Sequence, residues 1–296
     1  MRRADLFLGV DGGGTQCRAR LADRSGRILG KGISGPANIR LGVDAAFAAV
    51  LAAAGHCLAA AGLGELALGR ITTCLALAGA TEPTELAAAR SRRLPFHHTL
   101  ITSDAHAACV GAHGGRDGGV IIAGTGSVGW AIVDGRQYRV GGWGLALSDE
   151  GSGAWLGREA MRRVLWAHDG RIASTALLDR LFDEFDADPY AVVRWAATAS
   201  PADFGQLAPR VVEHAARDDA VAVELMRGAA QHIDDLATRL IEFGAARVAL
   251  VGGLAPYLEG WLPPETRRHL VMPEGDALAG ALQLARAEAA AFALEA

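Results

Sequence analysis

The chain has 296 residues, of which 51% are hydrophobic and 21% charged, and it contains 38 glycines. A domain usually has about 100–200 residues, so this length predicts about two domains. The hydrophobic fraction excludes a disordered chain. The 29 Lys and Arg residues against 33 Asp and Glu residues give a net charge of −4. The chain therefore has no overall positive field to hold a nucleic acid or an anionic membrane.

The four cysteines are widely spaced, with no C-x-x-C and no Cys/His cluster in the sequence. This spacing argues against a zinc site, an iron–sulfur site and a disulfide framework, and it predicts a reducing, cytoplasmic location. Residues 45–63 carry no charged side chain but are mostly Ala, interrupted by Gly55, His56 and Gly62. They predict an amphipathic helix of a soluble protein rather than a membrane span.

Apolar runs and glycine turns predict the elements in chain order. Strands are predicted at 5–11, 16–23, 27–34, 71–79 and 98–102, and helices at 44–62, about 83–93 and from about 104. Further strands are predicted at 118–124, 126–134, 137–142, 246–253 and 268–272, and a last helix at about 276–293. The order repeats, which predicts two copies of a βββαβα unit, the second with a helical insertion at about 151–243.

Two glycine turns match each other, the first at 12–15 (GGGT) and the second at 124–127 (GTGS). Each lies between two strands, so neither fits a Walker loop or a dinucleotide motif. Backbone N–H groups without a Cβ nearby can bind phosphate oxygens. Thr15 would add a hydroxyl, and Asp11 could hold Mg²⁺ through water. A tight hairpin explains a single copy equally well, whereas two opposed copies favour a phosphate site.

Two further positions follow predicted strands. Gly252 and Gly253 come after the strand VALV, where bare backbone could approach a flat ligand such as a purine, although a loop there often needs glycine anyway. Asp104 follows the strand HTLIT with Ser103 beside it. It is either a helix N-cap or a carboxylate that accepts a proton from a substrate hydroxyl.

The densest group of polar and aromatic residues is the glycine-rich segment 141–153, which contains Trp143, Asp149 and Glu150. An aromatic ring, bare main chain and carboxylates are the mixture that a sugar site needs. The alternative is an irregular loop in which Asp149 or Glu150 caps the following helix. Asn38, two residues after Pro36, could bond a sugar hydroxyl or serve only as a turn residue.

Together, DGGGT, AGTGS, VGG and GGWG followed by DEGSG resemble the actin-like, sugar-kinase and Hsp70 ATPase superfamily. Within it they resemble the N-acetylglucosamine kinase branch of the BadF/BadG/BcrA/BcrD ATPase family. The resemblance implies an α/β fold of two ribonuclease-H-like domains with ATP and sugar in an interdomain cleft. Residues 1–115 would form the sugar and phosphate side, with a C-terminal helix at about 277–296 packing back on it. Residues 116–276 would form the nucleotide side.

The resemblance also assigns roles to residues, with Asp104 as the catalytic base. The residues expected to bind ATP are Gly13, Gly14, Thr15, Thr125, Gly126, Gly252 and Gly253. The residues expected to bind the sugar are Asn38, Asp104, Ser127, Gly142, Trp143, Gly144 and Asp149. The family's dehydratase activators have closely placed cluster-binding cysteines, and repressor-type sugar kinases have a His/Cys zinc motif. The sequence contains neither pattern, which points towards an amino-sugar kinase.

We therefore expect a cytoplasmic enzyme that uses ATP and Mg²⁺ to phosphorylate the 6-hydroxyl of N-acetylglucosamine, giving the 6-phosphate and ADP. The family resemblance further implies a homodimer, without a nucleic-acid or membrane partner. Two alternatives remain open at this point. One is a glucosamine kinase with the same mechanism, and the other is a non-metabolic actin-like ATPase switch that would use the same phosphate turns.

Overall fold

The computed structural model describes residues 5–294 and divides the chain into two compact α/β units. Unit 1 comprises Met1–Asp117 with Met272–Ala296, and unit 2 comprises Gly118–Val271. The chain re-enters unit 1 at Met272, ahead of the predicted boundary at 276/277. The earlier return is explained by the Glu274 N–H, which donates to the Ala112 carbonyl at 3.0 Å.

Unit 1 is built on a five-stranded sheet with the order β3-β2-β1-β4-β5. Its strands are β1 (Leu6–Gly12), β2 (Cys17–Asp23), β3 (Ile28–Ser34), β4 (Ile71–Leu77) and β5 (His98–Ser103). Its first helices are α1 (Val43–Ala60), α2 (Pro83–Ser91) and α3 (Asp104–His113). Strands β1, β4 and β5 are parallel, while β2 and β3 are antiparallel hairpin partners. The carboxyl ends of three strands therefore meet at one edge of the sheet.

Unit 2 has a four-stranded sheet with the order β8-β7-β6-β9. Its strands are β6 (Gly118–Ala123), β7 (Ser127–Val133), β8 (Arg136–Gly141) and β9 (Val248–Val251). Its helices are α4 (Gly153–His168), α5 (Ala176–Asp183), α6 (Pro189–Ala196), α7 (Pro201–Gly205), α8 (Ala208–Ala215), α9 (Ala220–Glu242), α10 (Ala255–Leu258) and α11 (Pro264–Arg267). The order repeats that of the first four strands of unit 1, and the predicted α/β class is confirmed.

The strand predicted at 268–272 is wrong. Only one parallel bridge forms there, between Val248 and Leu270. The Val248 N–H donates to His269 and its carbonyl accepts from the Val271 N–H, both at 2.9 Å. Pro273 follows almost at once and has no N–H to extend the ladder. Next to β9, unit 2 therefore has a single bridge in the place that β5 occupies next to β4 in unit 1.

Helix α1 lies directly on strand β3. A Cβ added at Gly30 would lie 2.1 Å from the Cys57 carbonyl oxygen, and one at Gly32 would lie 2.0 Å from that of Ala53. The helix is long and apolar enough to span a membrane by those criteria alone. Its inner residues, including Phe47 and Val50, are nevertheless buried against the sheet. The packing is that of a core helix, as the alanine-rich sequence predicts.

The last helix, α12 (Ala277–Leu294), packs against α3, β1 and β4 of unit 1. Small residues allow backbone to meet backbone at this contact. A Cβ at Gly280 would lie 1.9 Å from the Ala107 carbonyl oxygen, and one at Gly111 would lie 2.1 Å from that of Asp276. Because side chains alternate along a strand, Leu8 faces the α1 side of the sheet while Phe7 packs with α12.

Candidate functional site

The strand register of unit 1 brings the first glycine turn and Asp104 to the same edge of the sheet. Gly12 at the end of β1 pairs with Leu77 of β4, and Leu77 pairs with Ser103 of β5. Neighbouring strands lie roughly 4.8 Å apart, so the ends of β1 and β5 are about 10 Å apart. The glycine turn follows the first of these ends and Asp104 follows the other.

The first glycine turn is held by its own backbone and by the segment that follows β3. The Gly13 N–H donates to the Gln16 carbonyl at 2.9 Å, and the Gly13 carbonyl accepts from Ala37 at 3.0 Å. The Gly13 N–H is thus used inside the turn. Gly14 and Thr15 are exposed, so their N–H groups and the Thr15 hydroxyl are the donors that a phosphate could reach.

Asp11 lies directly opposite Arg18 in the β1–β2 register, and its Oδ2 pairs with the Arg18 guanidinium. This contact leaves Oδ1 as the carboxylate atom that could meet a water on Mg²⁺. Among residues 5–294, no group of three or more His, Cys, Asp or Glu side chains could hold a metal by itself. A Mg²⁺ ion usually keeps several waters and takes its other ligands from phosphates, so one water-mediated carboxylate fits. The metal role of Asp11 stays a prediction.

Asp104 is the first residue of α3, and Ser103 is the N-cap. The Ser103 Oγ accepts the His106 N–H at 3.1 Å. Ser103, rather than Asp104, is therefore the N-cap residue of α3. The half-buried Asp104 carboxylate accepts the Ala105 N–H through Oδ1 at 2.8 Å. It lies at a helix N-terminus, where the helix dipole stabilises negative charge.

His106 is a neighbour of Asp104 that the sequence analysis did not single out. Its Nδ1 lies 2.7 Å from the Thr102 hydroxyl. Burial lowers the pKa of His106, so the ring is neutral near pH 7. No motif marked this contact, which depends on a strand end and a helix start folding together.

Asn38 lies at the same side of unit 1 as the first glycine turn. Its Oδ1 accepts the Arg40 N–H at 3.0 Å and caps a short 3₁₀ helix. A Cβ on Gly79, whose φ is +87°, would lie 2.8 Å from that oxygen. The Asn38 oxygen is thus committed to the backbone, and its amide NH₂ is the group that could meet a sugar hydroxyl.

In unit 2, three separate motifs meet around the end of β6. The Gly124 carbonyl accepts the Gly153 N–H at 2.8 Å, and the Ala123 carbonyl accepts the Leu254 N–H at 3.0 Å. Gly252 has a φ of +104°, and a Cβ there would lie 2.4 Å from the Ala123 oxygen. The second glycine turn, the DEGSG segment and the VGG segment are therefore one local structure.

Several glycines in these turns are not explained by packing or by backbone conformation. A Cβ at Gly14, Gly124 or Gly253 would meet nothing within 4 Å, and none of the three has a positive φ. Open space around the Cβ position is not by itself distinctive, because Gly55 and Gly64 also have it. What distinguishes the three is their place beside the ends of β1, β6 and β9, where bare backbone leaves room for a ligand.

Asp149 lies against the second glycine turn. Its Oδ1 accepts the Gly144 N–H at 3.2 Å, and a Cβ on Gly126 would lie 2.9 Å from its Oδ2. Helix α4 is capped by Ser152, whose Oγ accepts the Trp155 N–H at 3.1 Å. Asp149 is therefore not the helix cap, and neither is Glu150. The predicted sugar carboxylate and a predicted phosphate-binding glycine are in contact.

The remaining predicted sugar ligands of unit 2 differ in exposure, in hydrogen bonding and in backbone conformation. Trp143 is 63% exposed, and the Arg139 guanidinium lies 4.0 Å from its ring centroid. Ser127 is buried, and its hydroxyl donates to the Glu150 carbonyl at 2.7 Å. That bond positions the loop that carries Asp149, and direct contact of Ser127 with a sugar stays a prediction. The flanking glycines Gly142 and Gly144 have φ values of +73° and +101°.

The structure groups the predicted residues into two clusters, one in each unit. Unit 1 brings together Asp11, Gly13, Gly14, Thr15, Asn38 and Asp104. Unit 2 brings together Thr125, Gly126, Ser127, Gly142, Trp143, Gly144, Asp149, Gly252 and Gly253. Within residues 5–294, two arginines that bond to the 141–153 loop, Arg139 and Arg158, were not predicted.

Comparison with known proteins identifies the family of the chain. The sequence profile of the BadF/BadG/BcrA/BcrD ATPase family matches residues 8–285. Glucosamine kinase GspK of Vibrio cholerae serotype O1 is 39% identical over 281 residues, which cover 95% of this chain and 96% of the relative. The N-acetyl-D-glucosamine kinase of Dictyostelium discoideum is 28% identical, with 80% of each chain covered.

A crystal structure from Chromobacterium violaceum, of a protein provisionally named an N-acetylglucosamine kinase, has a TM-score of 0.90 and 36% sequence identity. The match covers 95% of this chain and 99% of that one. Fold, motifs and family profile thus agree along almost the whole length. The chain belongs to the BadF/BadG/BcrA/BcrD ATPase family.

Proposed function

We propose that this enzyme, an amino-sugar kinase by family and relatives, transfers the γ-phosphoryl group of ATP to the 6-hydroxyl of a glucosamine-type sugar. The observation that carries the proposal is the register of β1, β4 and β5. It places a glycine turn and the Asp104 carboxylate at one edge of one sheet. Phosphoryl transfer relies mainly on positioning and charge stabilisation, which such an edge can provide.

In the proposed reaction, the 6-hydroxyl oxygen attacks the γ-phosphorus while its proton passes to Asp104, and ADP leaves. The N–H groups of Gly14 and Thr15 hold phosphate oxygens. Thr125 and Gly126 are further proposed phosphate ligands, and Gly252 and Gly253 are proposed to lie beside the adenosine. Mg²⁺, when bound, neutralises phosphate charge, and Asp11 Oδ1 would hold it through water.

The proposed sugar ligands are the residues that the sequence predicts. The Asn38 amide donates to a hydroxyl, and the Asp149 carboxylate accepts from hydroxyls. Trp143 and the bare backbone of Gly142 and Gly144 contact the sugar ring. Carboxylates suit sugar hydroxyls because a hydroxyl that donates to a charged oxygen forms a hydrogen bond roughly twice as strong as a neutral one.

The sequence predicts N-acetylglucosamine as the substrate, and glucosamine is the second candidate. Relatives of both names match 95% of this chain, the Vibrio cholerae glucosamine kinase at 39% identity and the Chromobacterium violaceum protein named for N-acetylglucosamine at 36%. The kcat/KM values of the two sugars in the panel below decide between them. We further propose a cytoplasmic homodimer, which equilibrium sedimentation would test.

The test is a panel of sugars with coupled ADP detection. Glucosamine, N-acetylglucosamine, glucose and fructose would each be supplied with Mg²⁺ and ATP, and a sample without sugar would serve as the control. We expect ADP release to require an amino sugar, and ³¹P NMR to place the phosphate on the 6-oxygen. ADP release that does not depend on sugar would instead support the ATPase switch and contradict the kinase.

A further inference from the structure

The middle of the 141–153 loop is exposed, whereas Ser148 and residues 151–153 are buried. Trp143 is 63% exposed and Leu147 is 87% exposed, so this middle part gains little support from apolar burial. Its own backbone closes one turn, in which the Gly144 carbonyl accepts the N–H groups of Leu147 and Ser148 at 3.1 and 2.7 Å. Side chains anchor it further: Asp149 within the loop accepts the Gly144 N–H, and Arg139 outside it donates to the Gly141 and Gly142 carbonyls.

Arg158, on the second turn of α4, supplies such an anchor. Its Nη1 donates to the carbonyl of Leu145, the residue next to Gly144. Arg158 Nε lies 3.4 Å from Glu159 Oε1. Glu159 is only 7% exposed, which limits the movement of its carboxylate. The Arg158 guanidinium therefore contacts Glu159 through Nε while its Nη1 bonds to the loop.

Glu159 has two more arginine partners, and these do not reach the loop. Arg162 Nη1 lies 2.9 Å and Arg163 Nη1 lies 3.1 Å from the Glu159 carboxylate. Both lie further along α4, and their hydrogen bonds in the described part of the chain go to acidic side chains rather than to residues 141–152. The three arginines share one buried acid, but Arg158 alone among the three is seen bonding to the loop in the described part of the chain.

We propose that Arg158 is a positioning residue for the sugar site, an inference that rests on the proposed function. Its bond to the Leu145 carbonyl fixes the backbone at Gly144. Gly144 in turn donates its N–H to Asp149 and follows Trp143. Arg158 thus acts on both predicted sugar contacts through the Gly144 backbone, together with Arg139, which lies against the Trp143 ring, and it does so without touching the sugar. Hydrogen bonds from a charged donor are stronger and better oriented than neutral ones, which suits this task.

The test compares Arg158→Gln with a matched control, Arg162→Gln. The control removes a partner of the same buried acid from the same helix. For Arg158→Gln we expect the sugar KM to rise about tenfold, equivalent to about 1.4 kcal/mol, while the ATP KM stays within about twofold. Arg158→Lys, which keeps one charged donor, should recover part of the loss. Arg162→Gln should behave as wild type.

Sugar binding by calorimetry gives a second readout that does not depend on turnover. The melting temperature of each variant shows whether it folds, and Arg158→Lys keeps the test open should the Gln variant unfold. An unchanged sugar KM in Arg158→Gln, or equal changes for sugar and ATP, would overturn the positioning role. The wild-type sugar panel is read first, so failure of the proposed function would show there and be distinguishable from failure of this inference.

Discussion

Gly126 offers a sharp test of the contact between the second glycine turn and the predicted sugar carboxylate. A Cβ there would lie 2.9 Å from Asp149 Oδ2 and 3.3 Å from its Cγ, and the first of these distances is too short for a Cβ contact. Gly126→Ala must therefore displace the Asp149 carboxylate. Losing a hydrogen bond to a charged group costs about 1.5–3 kcal/mol. The sugar KM should accordingly rise by about 10- to 150-fold.

Gly124→Ala is the matched control, because it adds the same methyl group to the same turn. A Cβ at Gly124 would meet nothing within 4 Å, so Asp149 should not move. We expect steady-state kinetics with sugar varied at saturating ATP to show a normal sugar KM for Gly124→Ala. Equal sugar KM values for the two variants would refute the proposed role of Asp149.

The remaining predictions concern packing and pH. Gly280→Ala places a methyl 1.9 Å from the Ala107 oxygen and should destabilise unit 1 by about 1–3 kcal/mol. In Gly55→Ala the added methyl group enters open space, so the change should be neutral or stabilising by about 0.5–1 kcal/mol. Chemical denaturation measures the free energy of unfolding of both variants. Burial raises the pKa of Cys57 and Cys74 from 9.0 to about 12. The thiols ionise at a lower pH in the unfolded chain than in the folded one, so the free energy of unfolding should fall as pH rises above 9. A free energy of unfolding that stays flat or rises above pH 9 would contradict this.

The strands and both glycine turns were predictable because they depend on local pattern. Apolar runs and Gly-rich turns identify β1, β2, β6 and β7 without reference to the rest of the chain. The strand predicted at 268–272 shows the limit. Its composition suits a strand, but strand formation depends on a continuous ladder, and Pro273 ends the pairing that begins at Val248.

Within the candidate site, the sequence could identify residues but could not choose between their roles. Ser103 and Asp104 are both good N-caps, and only the hydrogen bond from the His106 N–H to Ser103 settles which one caps α3. Arg158 could not be predicted at all. Its contact joins a helix to a loop carbonyl, and arginines on a helix surface are usually solvated.

The most direct test of the account is the turnover of Asp104→Asn. Asparagine keeps the size of the side chain and an oxygen to accept the Ala105 N–H, but it cannot take up the hydroxyl proton. We predict that kcat falls by about 10²–10⁴-fold while ATP binding, measured by calorimetry, is unchanged. A kcat close to that of wild type would contradict the assignment of Asp104 as the base.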